Sequence, residues 1–391
     1  MSLKRRQFLI LSGFAGGLGL AVLAHKALTK AEPPNGLSSP TPVGTPAQAS
    51  SPEAAMQSAP APKGLFAPPR GDVRIVVISD LNSQYGATSY EAEVDQAIAL
   101  IPDWQPNLVL CGGDMVAGQS PSLTQPEIQA MWAAFDQHVS APLRRANLPF
   151  GFTIGNHDAS AALAISGKFL FQQERQLASA YWNNPDHDPK LEFVDRAGFP
   201  FYYSFQQDDI FYLVWDASTA RIPPEQLAWV QKSLASSTAQ NAKIRIVIGH
   251  LPLYAVAVGR DEIGEVLDKA DELRSLLERY RVHTYISGHH HAYFPGHRGQ
   301  LELLYTSALG SGSRPLLNSN LRPSKTLTVV DVNLNSQSTT YTTYHMPTLE
   351  VVDHRQLPRI IVGLNGMVLR RDVKWEDLTP QERSLRHAPS S

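Results

Sequence analysis

The sequence holds a single cysteine, Cys111, in 391 residues. That excludes an intrachain disulfide and any cysteine-built zinc finger. Charge is scarce too. Asp, Glu, Lys and Arg make up 18% of the chain, below the usual quarter, and they nearly cancel to a formal net charge of −2. Such a balance gives no electrostatic case for a nucleic-acid partner or a polyanionic substrate. No internal repeat is visible. No apolar run reaches the roughly 20 residues that a spanning helix requires. What is abundant is apolar residue, 43% of the chain, enough for a sizeable core. Thirteen histidines accompany it. With cysteine nearly absent, a metal would be held by His, Asp and Asn.

The N-terminus reads as an address and a tether. Lys4, Arg5 and Arg6 precede a run without charge from residue 8 to 24, diluted by Gly13, Gly16, Gly17 and Gly19. A basic segment followed by a short, weak apolar run is the pattern of a secretory signal, here placed at residues 1–30. Val22 and Ala24 satisfy the small-residue rule, so cleavage is expected after Ala24; an uncleaved anchor is the alternative. The arginine pair followed by Gln7, Phe8 and Leu9 resembles a twin-arginine signal. That resemblance implies passage through the twin-arginine export machinery to a periplasmic or other extracytoplasmic location, with membrane contact only through this segment. Residues 31–70 contain ten prolines and one aromatic, Phe66. Such a composition buries too little apolar surface to offset ordering entropy and reads as a linker.

From residue 71 to 349 strands and helices alternate, and hairpins follow. Residues 73–79 (V-R-I-V-V-I-S) form a β-branched run suited to a strand buried on both faces. Further strands are expected at 108–111, 149–154, 201–205, 210–215, 244–248, 282–286, 301–306, 326–332 and 339–344. Helices are expected at 89–101, 125–147 with Pro142 ending or kinking it, 223–236 and 261–280. Residues 159–200 read as a helical and loop insertion. This pattern predicts a layered α/β sandwich with two mixed β-sheets flanked by helices. Residues 350–391 form a C-terminal extension with one hairpin on Asn365-Gly366.

Five of the predicted strands end in a polar residue of metal-ligating type. Asp80-Leu81-Asn82 follows the first; Gly112-Gly113-Asp114, Gly155-Asn156-His157-Asp158, Gly249-His250 and Gly288-His289-His290-His291 follow others. The carboxyl ends of strands form the binding crevice of open α/β sheets, so five distant segments are expected to converge. Carboxylate, amide oxygen and imidazole together suit Mn, Fe, Zn or Mg. The set exceeds the need of one tetrahedral site. Two divalent metal ions about 3.5–4 Å apart, bridged by one carboxylate, are the economical solution.

The ordered set D-x-N, G-D, G-N-H-D, G-H and G-H-x-H resembles the D-x-H, G-D, G-N-H-[DE], G-H and G-H-x-H signature of the calcineurin-like metallophosphoesterases over residues 72–310. The resemblance implies that Asp114 bridges the metals. Asp80 and His291 complete the first site, and Asn156, His250 and His289 hold the second. It implies that His157 faces substrate and protonates the leaving group, that Asp158 orients His157, and that a metal-held hydroxide attacks phosphorus in line. Asn82 departs from the family, which has histidine there. Its amide oxygen either joins the first site or only orients Asp80. Related enzymes without that histidine supply a tyrosine three residues after the Gly-Asp aspartate, where this chain has Ala117. Tyr85 is near in sequence but has no assigned place.

Other candidates read as structural. His290 alternates away from its neighbours. His283 and Cys111 belong to buried strands, and His297 and Arg314 to the surface. His138, His187, His345, His354 and His387 have no ligand spacing. Tyr181, Trp182, Phe199, Phe201, Tyr202 and Tyr203 are expected to cover a core rather than stack a nucleobase. The function these readings imply is hydrolysis of a small phosphate ester, mono- or diester. A cyclic-nucleotide or other small phosphodiesterase and a non-catalytic binding protein on the same scaffold are the alternatives.

Overall fold

A computed structural model describes residues 59–387. The segment read as an export signal, and most of the stretch read as a linker, lie outside the described residues. Two mixed sheets pack into a sandwich flanked by helices. At the centre of the six-stranded sheet, Val73–Ile78 is wholly buried. It pairs in parallel with Leu108–Cys111, which pairs in parallel with Phe150–Phe152. On its other side, Thr326–Asn333 runs antiparallel, followed by Ser338–His345 and Glu350–Val351.

The nine-stranded sheet has a parallel centre. Ile210–Val214, Ile244–Ile248, Thr284–Ser287 and Leu301–Tyr305 pair in that order. Antiparallel strands extend both edges: Tyr202–Gln207 and Phe193–Gly198 on one side, Phe294–Arg298, Gly366–Arg370 and Ile360–Gly363 on the other. Near-continuous apolar runs such as IRIVI and IFYLV are what a strand covered on both faces requires. The aromatics at 181–203 pack inward. Trp182 stacks on Phe152 at 3.8 Å, and the Tyr203 hydroxyl takes the N–H of Phe152 at 3.0 Å, tying one sheet to the other.

Several elements depart from the pattern reading. The helix expected at 261–280 covers only Ala270–Arg279. Gly264 and Lys269 both sit at positive φ, so residues 261–269 form a loop instead. Phe294–Arg298 contains Pro295 and Gly296, poor strand residues, yet it pairs along Leu301–Tyr305. The insertion carries a helix, Gln172–Trp182, and the edge strand Phe193–Gly198. Pro142 lies just past a single wide turn, Asp136–Ser140, which accommodates a ring that would clash in a regular helix. Residues 59–70 run against the body: the buried Arg74 guanidinium donates to the carbonyls of Pro60 and Pro68. The hairpin at 360–370 continues the nine-stranded sheet.

Candidate metal centre

The strands ending at Ile78, Cys111, Phe152, Ile248 and Ser287 deliver their following residues to one place. The backbone is bent hard there. Asp80, Asp114, His289 and His291 all have φ between 51° and 64°, a left-handed conformation that costs non-glycine residues about 1–3 kcal/mol each. Such strain persists only where surrounding structure holds it. Part of that structure is close backbone approach. A Cβ on Gly155 would collide with the Asp114 carboxylate, and one on Gly288 with Ser79 and Asp80.

Asp80, Asp114 and His291 each offer a donor atom within 4.8 Å of the others. Ser79 Oγ donates to Asp80 Oδ2 at 2.5 Å, and the His289 N–H donates to Asp80 Oδ1 at 3.0 Å. His291 donates from Nδ1 to the Gly312 carbonyl at 3.0 Å, which turns its Nε2 lone pair toward Asp80 Oδ1, 3.1 Å away. Asn82 is buried beside them, its backbone N–H on the Asp114 carbonyl at 3.2 Å and its own carbonyl taking the Ser311 N–H at 3.1 Å.

A second group meets the first at Asp114. His250 donates from Nδ1 to the Gly112 carbonyl at 2.7 Å. Its Nε2 therefore faces Asn156 Oδ1 at 2.9 Å and Asp114 Oδ2 at 3.3 Å as an acceptor. His289 donates from Nε2 to Glu265 at 2.8 Å, leaving the Nδ1 lone pair 3.0 Å from Asn156 Oδ1. The Asn156 amide is fixed because its Nδ2 donates to Gln119 Oε1 at 2.7 Å. Acceptors thus face acceptors throughout: Asp80 against His291, Asn156 and Asp114 against His250, and Asn156 against His289. Only a cation or added protons relieve such an arrangement. The residues present fit divalent ions.

The proton solution shows in the electrostatics. Burial works against a charge on His250, but Asp114 and then Asp80 outweigh it and push that imidazole up to about 9. Burial likewise opposes charge on Asp114, yet His250 and His157 hold its carboxyl well below the usual range. Burial keeps His289 neutral, with the Arg260 charge adding to the effect.

His157 lies at the edge of these groups. Its N–H donates to Asp114 Oδ1 at 2.9 Å, and its ring Nδ1 donates to the Gly118 carbonyl at 3.1 Å. Tyr85, unplaced by sequence, packs over the ring at 5.2 Å and is 64% exposed. Asp158 does not orient His157, contrary to the sequence expectation. As the third residue of the short helix Asn156–Ala159, its carboxylate turns back and accepts from the N–H groups of Asp114, Met115, Val116 and Gly155. Burial, with the Asp114 charge beside it, pushes Asp158 up to about 7 against the pull of those amides. It thereby shapes the Asp114–Val116 turn. His290 turns into the body, its Nε2 donating to the Glu265 carbonyl at 3.1 Å. Cys111 is a buried free thiol.

Two contributors escaped sequence reasoning. Glu265 holds His289 and is itself held by Arg260 at 2.5 Å; it hides in a stretch that reads as helix. Gln119 carries no motif at all.

The two-sheet sandwich, with this donor set at its strand ends, has the architecture of the metallophosphoesterase class. Residues 73–293 match the calcineurin-like phosphoesterases, more than half of the chain, and the chain belongs to that family. Among solved structures it resembles a purple acid phosphatase from yellow lupin (Lupinus luteus) seeds, with a TM-score of 0.50 and 15% identity, over 73% of this chain and 54% of that one. It also resembles GAP50, the anchor in the inner membrane complex of Plasmodium, with a TM-score of 0.44 and 15% identity, over 72% and 86%. A putative 5'-nucleotidase from Staphylococcus aureus is similar with a TM-score of 0.40 and 13% identity, over 72% and 54%. At these identities the likeness is one of fold, and the chain spans about half the length of the lupin phosphatase. No curated protein matches the sequence.

Proposed function

We propose that the chain is an exported, metal-dependent phosphoesterase that hydrolyses small phosphomonoesters or phosphodiesters. The single observation that carries the metal-dependent reading is the set of lone pairs facing one another around Asp114. In this reading Asp80, Asp114 and His291, with Asn82 beside them, hold one divalent ion. Asn156, His250 and His289 hold the other, sharing Asp114. Bound ions supply charge neutralisation at the phosphoryl oxygens and activation of a water at neutral pH.

The chain's own residues supply the rest. His157 donates Nδ1–H to Gly118, so the transferable proton of its charged form sits on Nε2. That proton goes to the leaving oxygen as the P–O bond breaks, and the hydroxyl delivered to phosphorus comes from water. Tyr85 packs beside the imidazole, its ring tilted 40° to it at 5.2 Å. The arginine pair at Arg5 and Arg6 supports export through the twin-arginine machinery. The inward packing of Trp182, Tyr203 and Phe199 gives no support to base stacking by that insertion.

The test is turnover of p-nitrophenyl phosphate and bis-p-nitrophenyl phosphate by purified protein loaded with Mn²⁺. Metal-dependent release of p-nitrophenol is expected, and the ratio of the two rates separates monoester from diester. No turnover of either ester with metal shown bound would contradict the reading.

A further inference from the structure

We propose that Glu174, on the inserted helix, is a positioning residue that holds the Gly118–Gln119 segment and, through it, fixes both the ring of His157 and the amide of Asn156. This rests on the phosphoesterase reading for its consequence but not for its geometry. Both carboxylate oxygens of Glu174 accept from the Gln119 N–H, each at 3.0 Å. Gly118 is wedged between the two partners: a Cβ there would collide with the His157 carbonyl and lie 3.2 Å from Glu174.

From this strap two arms reach the site. Gly118 exchanges two bonds with His157, donating its N–H to the His157 carbonyl at 2.9 Å and accepting from ring Nδ1 at 3.1 Å. That pair selects the tautomer with Nε2 free for substrate. Gln119 Oε1 takes Asn156 Nδ2 at 2.7 Å, which presents Asn156 Oδ1 to His250 and His289.

The strap is not relaxed. Gln119 sits at φ +67°, a conformation that non-glycine residues keep only when neighbours over-determine it. Glu174 is 3% exposed and makes no salt bridge among the described residues; its neighbour Arg175 pairs with Asp216 instead. Burial pushes its carboxyl up to about 7. A buried acid without a cation is a costly way to fill space, and among the described residues its side-chain hydrogen bonds go to this loop.

The experiment compares wild type, Glu174→Ala, Glu174→Gln and Gln119→Ala by ¹⁵N NMR of the His157 ring and by kcat on p-nitrophenyl phosphate and an alkyl phosphate. The alkyl ester needs its leaving group protonated far more than the nitrophenyl ester does. In wild type the His157 Nδ1 should carry the proton. Assayed at saturating Mn²⁺, so that the Asn156 arm limits neither ester, Glu174→Ala should give mixed tautomers and lose about tenfold in kcat on the alkyl ester, with little loss on the nitrophenyl ester and KM unchanged, and after dialysis it should retain less metal than wild type. Glu174→Gln keeps an acceptor and should recover most of both signals. Gln119→Ala should leave the tautomer intact and lower metal retention. Equal loss on both esters, or an unaltered ring signal in Glu174→Ala, would overturn the proposal. Should Glu174→Ala fail to fold, Glu174→Asp, an acid too short to reach the strap unchanged, is read by the same ring signal. If wild type hydrolyses neither ester, the phosphoesterase reading falls, while the ring signal still decides the role of Glu174.

Discussion

The two donor groups that share Asp114 are built on different principles. Asp80, Asp114 and His291 form a group rich in negative charge, with His291 only 12% exposed at its side chain and a neutral amide, Asn82, where the family places imidazole. The Asn156, His250 and His289 group brings only neutral donors. Each of these is aimed by its own partner: Gln119 on Asn156, the Gly112 carbonyl on His250, Glu265 on His289. Charge attracts an ion at a distance but does not place it. Preorganised neutral donors place it and contribute little long-range attraction. The first group is oriented as well, Asp80 by Ser79 and His291 by the Gly312 carbonyl, but it adds a charge that the second has only through the shared Asp114.

Breaking the shared element has the largest expected effect. Asp114→Asn should lower kcat/KM by about 10³-fold or more, the scale of several kcal/mol of lost charge stabilisation, and should deplete metal from both groups together. Metal analysis after dialysis, run beside the assay, checks this; loss from one group alone would separate what the geometry joins. His157→Ala comes next. It should lower turnover by roughly 10²-fold while leaving metal content at the wild-type level, since the ring bonds to Gly118 rather than to either group.

Orientation in the second group is tested at Glu265. Glu265→Ala leaves every donor in place but frees the His289 ring, and should weaken metal binding by roughly 10–100-fold, read by calorimetry. pH sharpens the same contrast. His250 is pushed up to about 9 without metal, above its unfolded value of about 6.5. The stabilisation from its protonated form is therefore complete below about pH 6.5 and lost as pH rises through about 9. Metal-free protein should lose thermal stability across that window. Added Mn²⁺ should restore it, with uptake strengthening as the proton leaves. A melting temperature independent of both pH and metal would contradict this. The smallest effect is expected at Asn82. Asn82→His adds an imidazole to the charge-rich group and should raise metal retention there without altering the second group; no gain on dialysis would mean that Asn82 is not its weak point.

Much of this arrangement is legible in the sequence because strands punctuate it. The buried run VRIVVI and its counterparts mark strand ends, and the polar residue after each end marks the crevice. Strand ends mark the segments, and the family resemblance picks Asp80, Asn82, Asp114, Asn156, His250, His289 and His291 from them; the fold brings Asp80, Asp114 and His291 within reach of one another and sets His250, Asn156 and His289 beside them. What escapes is whatever depends on backbone direction. Asp158 resembles a partner for its neighbour His157, but a short helical turn sends its carboxylate back to four amides. Glu265 lies in a segment whose apolar spacing mimics a helix, and only the left-handed Lys269 and Gly264 reveal the loop. Tyr85 meets His157 across more than seventy residues of chain, a contact no local pattern encodes. Phe294–Arg298 pairs as a strand despite Pro295 and Gly296, because Leu301–Tyr305 offers it an edge.

We propose that ions are held on both sides of Asp114. Anomalous diffraction from a crystal of the protein soaked in Mn²⁺ tests it most directly. Two peaks are predicted, one among Asp80, Asp114 and His291 and one among Asp114, Asn156, His250 and His289. No peak at Asp114, or a single ion that leaves either group empty at saturating metal, would contradict the account.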